Sequence, residues 1–347
     1  MFYDIEHSSL YPGLKALACF RLKPGLLPER PSHYRPAGVP FRARARQGKP
    51  PSGWYSSVAV VALVAVQVLT GCGRSPAVGS TGDGAAPRII SLAPSVTEML
   101  FAIGAGSNLV GRTDVCNWPP EAAAVPVVGS FGRPSIEAIL RQRPTLVLTV
   151  DLEDERILDP LARAGIAHRR IACETLDDIP VAIRAVGSLA GAHAAAAVLA
   201  DRLAAELSRL RAGDLAAAPD EFRPQAFAEI WGDPLMTAGR RSFVAELVRL
   251  AGCDNLGDAV DGAYFTVSPE WVIIRDPEII FCLYMTTETQ AVQRVAGRVG
   301  WQAVRAVRRG TVYDGFDTDL LFRPGPRVIE GIAALRACVE LSREVLP

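Results

Sequence analysis

The last lysine in this chain of 347 residues is Lys49; beyond it the basic side chains are arginines. Lys and Arg total 37 and Asp and Glu total 37. The balance conceals an asymmetry, because residues 72–347 hold 28 of the basic residues and 34 of the acids. A mildly acidic body without a basic patch excludes nucleic acid as the partner. Also absent are the Gly-x-x-x-x-Gly-Lys-Ser/Thr loop, the Gly-x-Gly-x-x-Gly turn, the His-Glu-x-x-His helix and the Gly-x-Ser-x-Gly elbow, so phosphate-loop, dinucleotide, zinc-protease and hydrolase chemistries lose their motifs. No Cys-x-x-Cys occurs among seven cysteines, which removes zinc-ribbon and thioredoxin readings. Past residue 71 the only histidines are His168 and His193, both on polar or helical surface segments. The acids are scattered, with no pair placed for acid/base work. No catalytic residue, metal set or cofactor site is expected, and a binding protein fits better than an exported α/β enzyme.

What is present begins with a leader. Residues 22–53 contain seven prolines and no apolar period. Trp54 to Thr70 is an apolar run behind Arg42, Arg44, Arg46 and Lys49. A basic flank, a short apolar core and small residues after it describe a secretory signal, and the run is short of the ~20 residues of a spanning helix. It ends in Leu69-Thr-Gly-Cys72, which resembles the lipobox of bacterial lipoproteins, where the chain is cut before the cysteine and the cysteine is lipidated. Residues 1–40 are a candidate over-extension of the start. Residues 73–86 are rich in Gly, Ser and Ala and read as a flexible tether. The expected layout is a leader over 1–71, lipidated Cys72 and tether over 72–87, a first α/β lobe over 88–190, an interlobe helix over 191–213, and a second α/β lobe over 222–347. A lipid-anchored location in the periplasm or at the cell surface follows.

The body alternates between strand and helix patterns, the mark of a parallel sheet with helices on its faces. Arg88–Leu92, Asn108–Thr113, Thr145–Val150 and Ala167–Ile171 read as strands of the first lobe. Ser95 with Glu98 three residues on reads as a capping box, and Gly104 and Gly106 end that helix. Residues 192–211 are rich in Ala, Leu and Arg without Gly or Pro, a strong helix about 30 Å long. Gly213–Pro224 reads as loop. Gln225–Ile230, Glu278–Tyr284 and Gly310–Tyr313 then read as strands, and Ser242–Leu250 and Pro326–Glu344 as helices.

Ser135-Ile-Glu-Ala-Ile-Leu-Arg-Gln-Arg-Pro144 repeats 133 residues later as Ser268-Pro-Glu-Trp-Val-Ile-Ile-Arg-Asp-Pro277. Each copy reads as an N-cap serine, an acid in the first turn, a short helix, a proline stop and a buried strand. The chain therefore reads as two Rossmann-like lobes joined by a single long α-helix. Glu137 and Glu270 are equivalent acids, one per lobe, placed to meet a two-fold partner. Trp118, Phe131, Trp231, Tyr264, Phe265, Phe316 and Phe322 cluster near the expected strand-to-helix loops, where α/β sheets bind ligands. Asp319 and Arg323, four residues apart, are either a local salt bridge or a pair of cleft contacts.

Arg88-Ile-Ile-Ser-Leu-Ala-Pro-Ser95-Val-Thr-Glu98, Cys116-Asn-Trp-Pro-Pro-Glu121, Ser135-Ile-Glu137, Val267-Ser-Pro-Glu270 and Asp319 to Arg327 resemble the periplasmic cobalamin-binding proteins of ABC importers. These sit in a wider group, with a long interlobe helix, that also binds ferric siderophores and haem. The resemblance covers residues 88–340. It implies the class III periplasmic binding protein fold of the helical-backbone metal receptor type. It implies that Glu137 and Glu270 dock on arginines of the permease dimer, and that Trp118, Phe131, Trp231, Tyr264, Asp319 and Arg323 contact ligand. Phe131 and Tyr264 stand where the group often has tryptophan. Cys338 falls on a disulfide position, with Cys253 two residues from its expected partner. The expected function is capture of cobalamin or a related corrinoid by a monomeric lipoprotein and its delivery to the permease. A ferric siderophore or haem is the alternative cargo, for which Arg240, Arg241 and Arg323 are candidate contacts.

Overall fold

The computed structural model describes residues 20–21, 86–150, 155–216, 222–284 and 290–344. Cys72, the apolar leader core and the tether up to residue 85 lie outside the described residues. Of the expected leader only β1 (Phe20–Arg21) is described, and it pairs with a sheet edge introduced below.

The first lobe runs β2 (Ile89–Ser91), α1 (Pro94–Ala102), β3 (Leu109–Arg112), the hairpin β4 (Gly129–Ser130) and β5 (Arg133–Pro134), α2 (Ile136–Arg141), β6 (Leu146–Thr149), α3 (Glu155–Arg163), β7 (Ala167–Arg170) and α4 (Asp178–Ala190). Helix α5 (His193–Ala216) leads to the second lobe: β8 (Gln225–Gly232), β9 (Leu235–Ala238), α6 (Phe243–Leu250), β10 (Asp254–Asn255), β11 (Tyr264–Thr266), α7 (Pro269–Arg275), β12 (Ile279–Cys282), α8 (Ala291–Gly297), α9 (Arg305–Arg309), β13 (Val312–Asp314), α10 (Asp319–Phe322) and α11 (Val328–Arg343).

The first sheet has the order β3-β2-β6-β7, every pair parallel. The second repeats this arrangement as β10-β8-β12-β13, again parallel. It adds β9 and β11 antiparallel beyond β8, and β1 antiparallel to β13.

The sequence repeat is a repeat of backbone conformation. Ser135 caps α2 by accepting from the Ala138 amide at 3.3 Å, and Ser268 caps α7 by accepting from Trp271 at 3.3 Å. Each helix then stops on a left-handed residue before a proline: Arg143 and Asp276 both have φ of +47°. The following proline disfavours a helical predecessor. An arginine clamps each strained carbonyl, Arg88 Nε donating to Arg143 at 3.0 Å and Arg305 Nη2 to Asp276 at 2.7 Å. The strands β6 and β12 start at equivalent places.

Side chains alternate across each strand, and this sorts the core. Ile89 and Leu148 face a core that also takes Ala226, Ala228, Ile279 and Phe281 of the second sheet. The opposite faces have separate cores, around Ile90 and Val147 in one lobe and around Phe227, Ile280 and Trp301 in the other. The shared core includes one stripe of α5, Ala196, Ala200, Leu203 and Leu207, all 5% exposed or less. Near the end of α5, Arg211 pairs with Asp177 of the first lobe and Glu246 of the second, each at 2.6 Å. At 24 residues, α5 is about 36 Å long.

Three local expectations are corrected. Helix α1 starts at Pro94, whose fixed φ suits the first helical position, so its N-cap is Ala93 without a side-chain bond. Ser95 and Glu98 lie inside the helix and form no capping box. The segment from Gly213 continues α5 as far as Ala216 instead of opening a loop. No disulfide joins Cys253 to Cys338. Both thiols are buried in the shared core, where α6 packs on α11. Burial pushes the Cys253 thiol up to about 12, and a thiol held protonated is a poor nucleophile for oxidation.

Helices α4 and α5 touch where Gly187 faces Ala196: a Cβ on Gly187 would overlap the Ala196 methyl. Gly187→Ala is expected to destabilise the protein by about 1–3 kcal/mol, the usual penalty for overpacking. Reversible thermal unfolding checks this; an unchanged melting temperature contradicts the packing described.

Candidate functional site

The four parallel strands of the first sheet release the chain at one edge, and a cavity of about 400 Å³ lies there. Ala93–Ser95 follow β2, Val115 follows β3, Val150 follows β6, and Ile171 and Cys173 follow β7. The turn between β4 and β5 adds Phe131. The other wall comes from the second lobe: Thr318, Asp319, Phe322, Arg323 and Pro324, the segment that follows β13. A crevice outside the carboxyl ends of parallel strands is where α/β sheets bind ligands. Asp319 and Arg323 are its two charged side chains, within a lining that is otherwise mainly apolar. Arg323 Nη2 meets Asp319 Oδ1 at 2.8 Å, so the pair is a local salt bridge, and both side chains line the cavity.

Phe131 is held in place by Asp114, which neither motif nor spacing marked. The Phe131 amide donates to Asp114 Oδ1 at 3.2 Å. A hydrogen bond from the Ser130 side chain, with backbone bonds from Phe131 and Val115, holds the Asp114 carboxyl below its ordinary range. Such a carboxylate supports the turn above that range, and the support is lost as pH falls through the lowered value.

Arg323 is anchored from the first lobe. It donates to Glu98 Oε1 at 3.2 Å, Asn117 Oδ1 at 2.7 Å and the Val115 carbonyl at 3.1 Å. Glu98 is 4% exposed and also accepts from Arg327 Nε and Nη2, both at 2.9 Å. Burial would lower the Arg327 guanidinium, but the Glu98 bonds outweigh it and the group is raised. The Arg327 guanidinium lies over the Trp118 ring at 4.3 Å. Ser95 and Glu98, expected to cap a helix, thus serve as cavity wall and buried anchor.

The aromatics are not gathered at one place. Phe131 and Phe322 line the cavity. Trp118 lines a second depression of about 520 Å³ with Phe101, Glu121 and Arg327. Trp231 and Tyr264, each about two-fifths exposed, line neither. Trp231 donates to the Asp233 carbonyl at 2.8 Å, and Tyr264 stands on the strand next to β9. Phe265 packs on Trp271 and Phe316 on Phe281, so both are packing residues. Arg240 donates to the Asp258 carbonyl at 2.9 Å and Arg241 pairs with Asp261 at 3.2 Å; neither lines the cavity. His193 is exposed at the start of α5, and His168 is half-buried on the edge strand β7.

The carboxyl edge of the second sheet has its own buried acid. Glu229, fully buried, accepts from Arg298 at 2.5 and 2.6 Å and from the Tyr284 hydroxyl. Nothing in the sequence pattern marked it. Glu137 and Glu270 are exposed in the first turns of α2 and α7. Bonds from its own backbone amide and from Ser268 hold the Glu270 carboxyl below its ordinary range. Among the described residues no cluster of His, Cys, Asp and Glu could hold a metal ion, and no helix is long and apolar enough to cross a membrane.

The model of a family described as periplasmic binding protein matches residues 89–317. A vitamin B12-binding protein of Pectobacterium carotovorum subsp. carotovorum (strain PC1) is 30% identical over 256 residues, covering 74% of this chain and 88% of the relative. An uncharacterised ABC transporter substrate-binding lipoprotein, YvrC, of Bacillus subtilis (strain 168) is 28% identical over 253 residues, covering 72% and 78%. Among solved structures, the periplasmic vitamin B12 binding protein BtuF of Vibrio cholerae has a TM-score of 0.62 at 26% identity, covering 74% of this chain and 98% of that one. The periplasmic heme-binding protein RhuT of Roseiflexus sp. RS-1, in apo form, has a TM-score of 0.63 at 26% identity, covering 73% and 99%.

Asp114→Ala, which removes the acceptor, is expected to leave the protein folded and to speed hydrogen exchange at the Phe131 amide about tenfold, as befits the loss of ~1.4 kcal/mol of local protection. Exchange unchanged at that amide would contradict the assigned anchor.

Proposed function

Because this chain belongs to the periplasmic binding protein family, the substrate-binding proteins of ABC importers and not a family of enzymes, we propose that it captures cobalamin or a related corrinoid between its lobes and delivers it to such an importer. The observation that carries this reading is the cavity itself. It is built from the carboxyl edge of one sheet and walled by a segment of the other lobe, with apolar groups for a large flat ligand and Asp319 and Arg323 for its polar rim. Planar apolar surface with a few convergent polar groups suits a conjugated macrocycle that carries amides. The 30% identical relative named for vitamin B12 supports the corrinoid over other cargo. Haem is the second reading, supported by the likeness to RhuT.

In this proposal Phe131, Asp319 and Arg323 contact ligand within the cavity. Trp118, Trp231 and Tyr264 do not line it and would meet only the parts of a large ligand that project beyond the cavity. The protein acts as a monomer outside the cytoplasmic membrane, tethered by a lipid on Cys72. Glu137 and Glu270 dock on the permease dimer. Their exposure at matching positions of repeated helices supports that role.

Titration of the protein's tryptophan fluorescence with cobalamin, cobinamide, haem and a ferric siderophore tests the cargo. Quenching that saturates with a corrinoid is expected, and failure of both corrinoids to quench removes the leading reading. Glu137→Arg combined with Glu270→Arg should abolish uptake into cells while ligand affinity stays within twofold. Lost affinity in that pair would count against docking as their role. Labelling with a fatty acid should mark the protein in cells, and Cys72→Ala should abolish the mark.

A further inference from the structure

Glu98 sits in the first lobe, on α1, yet its two cationic partners belong to the second. Arg323 and Arg327 lie 225 and 229 residues further along the chain. The Glu98 side chain is 3% exposed and the Arg323 and Arg327 side chains 10% and 13%. Both carboxylate oxygens are engaged by Arg327, and one also by Arg323. The cluster extends on the first-lobe side to Asn117, which donates to Asp319 Oδ2 at 3.3 Å and accepts from Arg323. Each arginine then presents its other surface to a residue expected to meet ligand. Arg323 lines the cavity, and Arg327 lies over Trp118.

We propose that Glu98 is the positioning residue of this receptor: a buried carboxylate that ties the second lobe to the first and, through Arg323 and Arg327, sets both the cavity wall and the Trp118 ring. The proposal rests on the reading of the chain as a solute receptor and deepens it. It follows that ligand affinity depends on a side chain outside the cavity, for Glu98 lines the second depression beside Trp118 and not the cavity itself. It follows too that any force separating the lobes must break this cluster. A buried carboxylate with two guanidinium partners from the other lobe resists opening, because parting the lobes removes both partners and leaves the charge uncompensated out of water. Bidentate pairing by Arg327 also fixes geometry in a way that a point charge would not.

The test uses the full-length protein with Glu98→Gln and, separately, Arg327→Gln. Arg327 does not line the cavity, so its variant removes an arm of the cluster without touching that lining, and it carries the test if Glu98→Gln fails to fold. Hydrogen exchange read by mass spectrometry should quicken at least tenfold in residues 113–120 and 318–327 together, while α4 and α6 keep their native rates. Affinity for the corrinoid that binds the unaltered protein should fall at least tenfold, with the change carried by faster dissociation. Unchanged exchange in the two segments and affinity within twofold in a folded variant would overturn the proposal. A lowered melting temperature with native affinity and native exchange at the interface would also overturn it, since that describes a purely structural ion pair. If the unaltered protein binds no corrinoid and no haem, the functional reading fails, and the paired exchange result still decides whether Glu98 joins the lobes.

Discussion

A stripe of small and branched side chains along α5, running Ala196, Ala200, Leu203 and Leu207, lies in one core with the inner faces of both sheets. Burial of this kind contributes roughly 25 cal/mol for each Å² removed from water, and a core continuous through the connecting helix cannot open at a single hinge. Small side chains let α4 lie close against α5 at Gly187 and Ala196. Arg211 then ties the end of α5 to a carboxylate in each lobe. The lobes are thereby restrained to small relative movements, and the cavity between them exists in advance of any ligand. A receptor of this design gains affinity by preorganisation, because little conformational freedom remains to be lost on binding.

Within that frame the two lobes are copies with different duties. Their parallel cores share one strand order, β3-β2-β6-β7 in the first and β10-β8-β12-β13 in the second. The carboxyl edge of the first sheet supplies most of the cavity. The edge of the second is occupied by the Glu229–Arg298–Tyr284 cluster, and its contribution to the cavity comes from the segment after β13. In both lobes a buried glutamate bound by arginine lies near the carboxyl edge of the sheet. Such groups are costly to bury and strongly coupled to their partners, which makes them devices for fixing geometry more than sources of stability.

The local elements were legible in the sequence. Ser135 and Ser268 cap their helices as the repeat implied, and the strands after Pro144 and Pro277 form in matching registers of chain position. Cavity residues Phe131, Asp319 and Arg323 were also found from loop position and family resemblance. Asp114 and Glu229 were not, because a carboxylate that orders a turn or meets a distant arginine leaves no periodic trace. Trp231 and Tyr264 show the limit of expected loop position as a guide, for both stand on strands, β8 and β11, and line neither depression, while Trp118 lines the second.

The sequence by itself determined what contiguous residues can settle. Cap serines, proline stops, alternating strands and an uninterrupted helix all rest on hydrogen bonds and sterics within a few residues. Only the tertiary structure decided the fate of Glu98, which local pattern assigned to a capping box. Pro94 starts the helix ahead of Ser95, and packing of the lobes brings in two arginines from beyond residue 320. The charge of a carboxylate is written in the chain, but its partner depends on which surfaces meet after the core has formed. The same holds for Cys253, just after α6, and Cys338, on α11, whose burial is a property of those helices packed in place and not of cysteine spacing.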